Sequence, residues 1–167
     1  LQADFSDLLR SARYILTTSI AEGFGFSFLE PWLADNILWG RNLSEICQDF
    51  KRHGIQLDHL YDTLSIPLGW IDSSVLYRRW RNCIQKTARS YQISIDLAEI
   101  EQEFESITAD DDIDFGMLDE FHQKKIIRRI VSDPSDREQL CRLNPFLKNR
   151  VPRPVPLSDW LAFNFYR

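Results

Sequence analysis

Apolar residues in the first third of the chain follow a helical pattern in some stretches and a strand pattern in others. Residues 5–9 have helical spacing, whereas residues 13–19 form a β-branched and aromatic run of strand length. After a glycine-rich turn, helical spacing resumes over residues 26–34, and residues 36–40 form a second short apolar run. This order of strand, turn, helix and strand predicts a βαβ unit, in which the two strands are parallel.

Helical spacing dominates the remaining two thirds of the chain. Four amphipathic helices are predicted, with the ranges 73–91, 94–107, 117–131 and 133–143. The expected N-caps are Asp72 or Ser73, then Ser94, then Asp133, which precedes a first-turn proline. Asn36 is expected to give the earlier helix a left-handed end. The acidic run 110–114 is interpreted as a flexible capping linker, and the proline-rich stretch 145–156 as an extended connector.

Composition places these elements in a folded protein. With 167 residues, 44% of them apolar and 27% charged, the chain is long enough to bury a hydrophobic core. The predicted fold class is α/β, with a small parallel sheet of two to four strands flanked by helices. The predicted divisions are a sheet-containing domain over residues 1–72, a helical extension over residues 73–144, and a connector with a C-terminal element over residues 145–167.

The charge balance narrows the range of partners. Twenty-five acidic residues against 20 basic ones give a net charge of −5, which argues against general binding of nucleic acid or anionic lipid. No apolar stretch approaches the roughly 18 residues of a membrane span. Cys47, Cys83 and Cys141 are interpreted as reduced, buried thiols rather than as a disulfide framework. These features predict a cytoplasmic protein.

One stretch, SIAEGFGFSFLEPWLA at residues 19–34, contains residues typical of a ligand site. Glu22 lies in the glycine-rich turn and Glu30 lies two helical turns into the following helix, so both carboxylates can border one pocket. Backbone N–H groups of the turn and of the first helical turn favour phosphate. Since carboxylates facing a diphosphate would repel it, we expect them to accept hydrogen bonds from adjacent hydroxyl groups. A molecule with a diphosphate between two polyols is a nucleotide sugar, and this arrangement therefore predicts a nucleotide-sugar site.

The same residues resemble the donor-binding motif of retaining glycosyltransferases of the GT-B type, in which two glutamates span an EGFG turn and the helix behind it. With its flanking elements the resemblance covers about residues 4–50. It implies that Glu22 contacts the transferred sugar and that Glu30 contacts the nucleotide ribose. It also implies that backbone groups of the turn bind the sugar hydroxyls or the diphosphate, through Gly23, Phe24, Gly25 and Phe26.

The resemblance further implies that residues 1–72 are part of a Rossmann-like domain, the C-terminal half of a GT-B enzyme that transfers a hexose from a nucleotide diphosphate sugar. No metal or cofactor is expected, because helix dipoles and basic residues stabilise the departing diphosphate. Arg41, just after the second strand, is a candidate phosphate contact. Residues 35–38 depart from the family's glycine and Pro-Val. The N-terminal acceptor half has no counterpart, so the chain is expected to be a fragment that is inactive alone.

Two alternatives to an enzyme site stay open. In the first, the sole role of the glycines at positions 23 and 25 is to let a helix pack closely on a sheet, with no ligand bound. The chain can also be a non-catalytic interaction module derived from a glycosyltransferase domain, with a homodimer formed through the open sheet edge at residues 14–19. His53, His59 and His122 lack the spacing of metal ligands, so they are interpreted as surface or partly packed residues, and no metal site is predicted.

Overall fold

The computed structural model describes residues 4–23, 26–55 and 57–148. Most residues in these ranges are helical and the strands are short, so the coarse prediction of a helix-rich α/β protein with a small parallel sheet is confirmed. The described chain forms two compact units, of which the first ends at Asp62 and the second runs from Thr63 to Lys148. The predicted range 1–72 therefore includes residues of both units.

The first unit contains a βαβ arrangement. Its elements are α1 (Phe5–Ser11), β1 (Ile15–Leu16), α2 (Phe26–Leu33), β2 (Leu38–Trp39) and α3 (Ser44–Arg52). Strands β1 and β2 are parallel, with Ile15 opposite Leu38. Beyond β2, Arg41 forms a further parallel bridge with Tyr61. Three segments of this unit therefore run in the same direction: β1, β2 with Arg41, and the segment at Tyr61.

Strand β1 is shorter than the apolar run that predicts it. Its ladder to β2 ends where the Thr17 N–H donates to the Trp39 carbonyl at 3.0 Å. The Thr17 hydroxyl then accepts a hydrogen bond from the Ser19 N–H at 3.2 Å. This local bond directs the chain out of the sheet, so the residues that follow form a loop instead of more strand.

The end of α2 differs from the prediction in one residue. Asp35, not Asn36, adopts the left-handed conformation, with φ of 54°, and the Asn36 N–H bonds the Pro31 carbonyl at 2.8 Å. The buried Asn36 amide nitrogen donates instead to the carbonyls of Leu9, at 2.9 Å, and Ala12, at 2.7 Å. Asn36 thereby satisfies two carbonyl groups at the end of α1 and ties that helix to the start of β2.

An apolar cluster packs the helices of the first unit onto its strands. Its buried members are Phe28, Leu38, Leu43, Cys47 and Leu57. At its margin, the Trp32 ring on α2 meets the Phe50 ring on α3 edge to face, with centroids 5.2 Å apart. Because its members include Phe28 of α2, Leu38 of β2 and Cys47 of α3, the cluster packs both helices against the second strand.

The second unit has its own sheet and core. Its elements are β3 (Ser65–Pro67), α4 (Ser73–Ser90), α5 (Leu97–Ile107), β4 (Asp112–Asp114), α6 (Glu120–Ser132) and α7 (Pro134–Leu143). Strands β3 and β4 are antiparallel, with Ile66 opposite Ile113, and both isoleucines belong to the buried core. The prediction of a flexible linker is therefore wrong at residues 112–114, where Ile113 alternates with two aspartates and enters the core.

Aspartates cap all four α-helices of the second unit. The caps are Asp72, Asp96, Asp119 and Asp133. The prediction is confirmed for Asp72 and Asp133, the latter followed by Pro134 in the first turn. It is wrong for Ser94, because α5 starts later with Asp96 accepting a bond from the Ala98 N–H. Helix α6 likewise begins after Asp119, and not at residue 117 as predicted.

Two other predictions concern cysteines and the C-terminal stretch. Cys47 is buried as predicted, but Cys83 is exposed and Cys141 is partly exposed. Residues 145–148 form a 3₁₀ turn. The rest of the predicted connector and C-terminal element lies outside the described residues.

The close approach of β1 and β2 depends on the absence of a side chain at Gly40. A Cβ atom there would lie 2.6 Å from the Thr17 carbonyl oxygen and would also overlap the Thr17 methyl group. We expect Gly40→Ala to lower the free energy of unfolding of the first unit by about 1–3 kcal/mol. Urea unfolding, with hydrogen exchange at the Ile15 and Thr17 amides, measures the effect.

Gly69→Ala is the matched control, because a Cβ at Gly69 would meet no atom within 4 Å. Unchanged exchange at the two β1 amides in Gly40→Ala would contradict the requirement for close approach.

Candidate functional site

The carboxyl ends of the parallel segments in the first unit meet at one cleft of about 260 Å³. The chain contributes residues 20–22 after β1, residues 41–43 after β2, and Asp62 after the Tyr61 bridge. The first turn of α3 completes the wall. Parallel strands place their carboxyl ends at the same edge, which is where ligands bind in α/β sheets.

Glu22 has a fixed place in this cleft. Its Oε1 atom accepts hydrogen bonds from the hydroxyl of Ser19, at 2.8 Å, and from the hydroxyl of Ser27, at 2.9 Å. Ser19 follows β1 and Ser27 lies in the first turn of α2, so both flanking elements hold the carboxylate. Within the described chain, the second oxygen of Glu22 has no hydrogen-bond partner.

The glycine turn is only partly described, since Phe24 and Gly25 lie outside the described residues. At Gly23, a Cβ atom would meet nothing within 4 Å, so close packing does not explain glycine at this position. Phe26 begins α2 and its side chain is 63% exposed. Gly40 is a glycine of this unit where a Cβ atom would meet other atoms closely.

Glu30 lies on the exposed surface of α2. It is not among the residues that line the cleft, and neither are Gly23 and Phe26. The cleft therefore brings together two of the described residues that were predicted to bind a ligand, Glu22 and Arg41.

Arg41 is held at the cleft by the segment that follows Tyr61. Its Nη1 donates to the Asp62 carbonyl at 2.9 Å, and its guanidinium lies 5.7 Å from the centre of the Tyr61 ring. The neighbouring Asn42 amide nitrogen donates to the Asp62 carboxylate at 2.7 Å. The Asn42 Oδ1 atom is buried and has no partner in the described ranges. Asp62 therefore orients both residues.

The cleft combines positive groups with an excess of hydrogen-bond acceptors. The N-cap of α3 is Leu43, which offers no side-chain oxygen to the first-turn N–H groups, so this helix end has a partial positive charge that adds to Arg41. Three carboxylates lie in the same cleft, from Glu22, Glu45 and Asp62. Acceptors therefore outnumber cations among its described lining residues.

Asn42, Asp62, Ser19 and Ser27 were not among the site residues predicted from the sequence. Ser19 and Ser27 flank Glu22 within the motif, so the local density of hydroxyl groups is a signal that could have identified them. Asp62 has no comparable signal, because only the parallel bridge of Tyr61 brings it beside Arg41 and Asn42.

The histidines take structural positions. The Nε2–H group of His59 donates to the Leu38 carbonyl at 3.0 Å, and burial lowers the pKa of His59. His122 is buried, which corrects the prediction of a surface or partly packed residue, and its Nδ1 lies 2.6 Å from the Asp119 carboxylate. Among the residues that the structure describes, no three histidine, cysteine or acidic side chains form a group that could hold a metal ion.

Within the described residues, every helix is too short or too polar to cross a membrane. Comparison of the chain with protein-family models, curated proteins and solved structures finds no match. The resemblance to glycosyltransferases therefore depends on residues 22–30 and the elements around them.

Cys47 lies on α3 behind the cleft, but it is not suited to act as a nucleophile. Its side chain is fully buried, and burial raises the pKa of its thiol. Since the thiolate is the reactive form, we expect Cys83 to react first with 5,5′-dithiobis(2-nitrobenzoate) at pH 8. Cys47 should react at least about tenfold more slowly, and faster in urea or as the pH rises. Mass spectrometry of the labelled cysteines measures the order.

Cys83→Ser should remove the fast phase and leave the slow one unchanged. Equal rates at Cys47 and Cys83 in native protein would contradict the buried position of Cys47.

Proposed function

We propose that this chain is the donor-binding part of a retaining glycosyltransferase, with a nucleotide diphosphate sugar as the donor. The proposal is carried by the Glu22 carboxylate, which two serine hydroxyls hold at the carboxyl edge of a parallel strand pair. Glu22 begins the motif that resembles the family, and it shares its cleft with Arg41. In this proposal the first unit is part of a Rossmann-like domain.

The sugar is assigned to the acceptor-rich part of the cleft. Glu22 keeps one oxygen for a ligand, and a carboxylate accepts hydrogen bonds but donates none. A sugar hydroxyl is the complementary group, since it supplies a proton and carries no charge. The net charge of the cleft residues supports this division, because three carboxylates would disfavour a ligand made of phosphate alone.

The diphosphate is assigned to the positive groups at the same edge. Arg41 and the uncapped N-terminus of α3 supply positive charge there, and the N-terminus of α2 follows the EGFG turn. These groups would stabilise the diphosphate as it departs. Glu30, on α2, is assigned to the nucleotide ribose, as the family resemblance implies.

A second candidate function has support from the outer edge of β1. The amides of Ile15 and Thr17 donate to the carbonyls of Ile37 and Trp39, so the backbone of Leu16 is directed to the opposite side of the strand. Tyr14 and Leu16 are 45% and 52% exposed. An apolar strand edge of this kind favours pairing with another chain, as expected for an interaction module or a homodimer.

Titration calorimetry separates the two functions. We expect the protein to bind at least one of UDP, ADP and GDP, and the matching sugar nucleotide among UDP-glucose, ADP-glucose and GDP-mannose. Glu30→Ala should weaken both by about tenfold, because a charged acceptor for the ribose hydroxyls is lost.

Glu105→Ala, an exposed glutamate on α5 in the second unit, is the matched control and should bind like the unaltered protein. Failure to bind any of the six nucleotides, together with concentration-dependent dimerisation that Leu16→Lys abolishes, would exclude the donor-binding function and favour the interaction module.

A further inference from the structure

The two serine hydroxyls that reach Glu22 converge on a single oxygen atom. Ser19 and Ser27 both donate to Oε1, at 2.8 and 2.9 Å. They come from opposite sides of the turn, because Ser19 precedes Glu22 in the loop after β1 and Ser27 follows it in α2. The carboxylate is therefore bonded both to the loop that follows β1 and to the first turn of α2.

This arrangement limits the motion of a side chain that would otherwise be free to rotate. Glutamate has three side-chain torsions, and fixing them for a ligand costs conformational entropy. Glu22 lies in a partly exposed loop without regular secondary structure. Ser19 is anchored in turn, since its N–H donates to the hydroxyl of buried Thr17 at 3.2 Å. Hydrogen bonds from both sides of the turn thus orient Glu22 before any ligand binds.

The same bonds determine which oxygen a ligand can use. A hydroxyl has one proton to donate, and each serine donates its proton to Oε1. The partly exposed Glu22 has no other hydrogen bond within the described chain, so Oε2 remains available. Oε2 can accept a hydrogen bond from a ligand hydroxyl while Oε1 keeps both serine contacts.

We infer that Ser19 and Ser27 are positioning residues, which hold Glu22 so that its second oxygen receives a hydroxyl of the donor sugar. This inference rests on the proposed function, which assigns the sugar to Glu22. It predicts that loss of the serine hydroxyls weakens recognition of the sugar and leaves recognition of the nucleoside diphosphate unchanged.

The experiment compares two affinities in each variant of the full chain, by calorimetry with the best-bound nucleoside diphosphate and its sugar nucleotide from the six named above. Ser19→Ala and Ser27→Ala should each weaken binding of the sugar nucleotide by about three- to tenfold, as expected for loss of one hydrogen bond. Both variants should bind the nucleoside diphosphate within about twofold of the unaltered protein. Ser27→Thr, which keeps a hydroxyl, should restore sugar-nucleotide affinity.

Ser11→Ala is the matched control, because Ser11 is an exposed serine of the first unit, its hydroxyl donates to the Leu8 carbonyl, and it does not line the cleft. It should leave both affinities unchanged. Hydrogen exchange at the Ile15 and Thr17 amides reports whether each variant keeps the fold of the first unit.

The outcomes distinguish failure of the inference from failure of the proposed function. If the unaltered protein binds none of the nucleotides, both are overturned. If it binds them, and the alanine variants keep full affinity for the sugar nucleotide, only the positioning role is overturned. Equal loss of both affinities, or no restoration by Ser27→Thr, also overturns that role, because it indicates a general structural effect.

Discussion

The parallel pairing of β1 and β2 is the contact on which the cleft depends. Hydrogen bonds from the Ile15 and Thr17 amides to the second strand bring the two carboxyl ends to one edge. Gly40 lets the strands approach, because any side chain there would overlap Thr17. The loops after the strands then converge, so that Glu22 and Arg41 line the same space although the chain between them includes a whole helix.

Short polar side chains make this fold specific. Asn36 ties the end of α1 to the start of β2 through the carbonyls of Leu9 and Ala12. Asn144 has the same role in the second unit, where its buried amide bonds the N–H and the carbonyl of Ser65. Ser19 and Ser27 act in a similar way in the cleft, where their hydroxyls hold the Glu22 carboxylate. In each case a buried or partly buried polar group has defined hydrogen-bond partners. A different packing of the same segments would leave that group without partners, so it is disfavoured.

Part of the acidic excess of the chain comes from aspartates that cap helices. Four aspartates cap the helices of the second unit, where negative charge also interacts favourably with the helix dipole. Hydrogen bonds to Asp72 and Asp133 lower the pKa of both carboxyl groups. These aspartates therefore belong to the architecture of the unit, and the acidic composition by itself does not identify a partner.

Local sequence specifies the helices with strong periodicity, the caps at Asp72 and Asp133, and the parallel βαβ order, because these depend on neighbouring residues. The same local pattern predicts that Glu22 and Arg41 lie near one edge of the sheet. Long-range contacts determine the strand at residues 112–114 and the roles of Asn36, Asn42 and Asp62. Each depends on a partner far away in the chain, such as Ile66 for Ile113 or Tyr61 for the bridge to Arg41. Local patterns do not specify such pairings, because the energy that selects them comes from packing and hydrogen bonds between residues that are distant in the sequence.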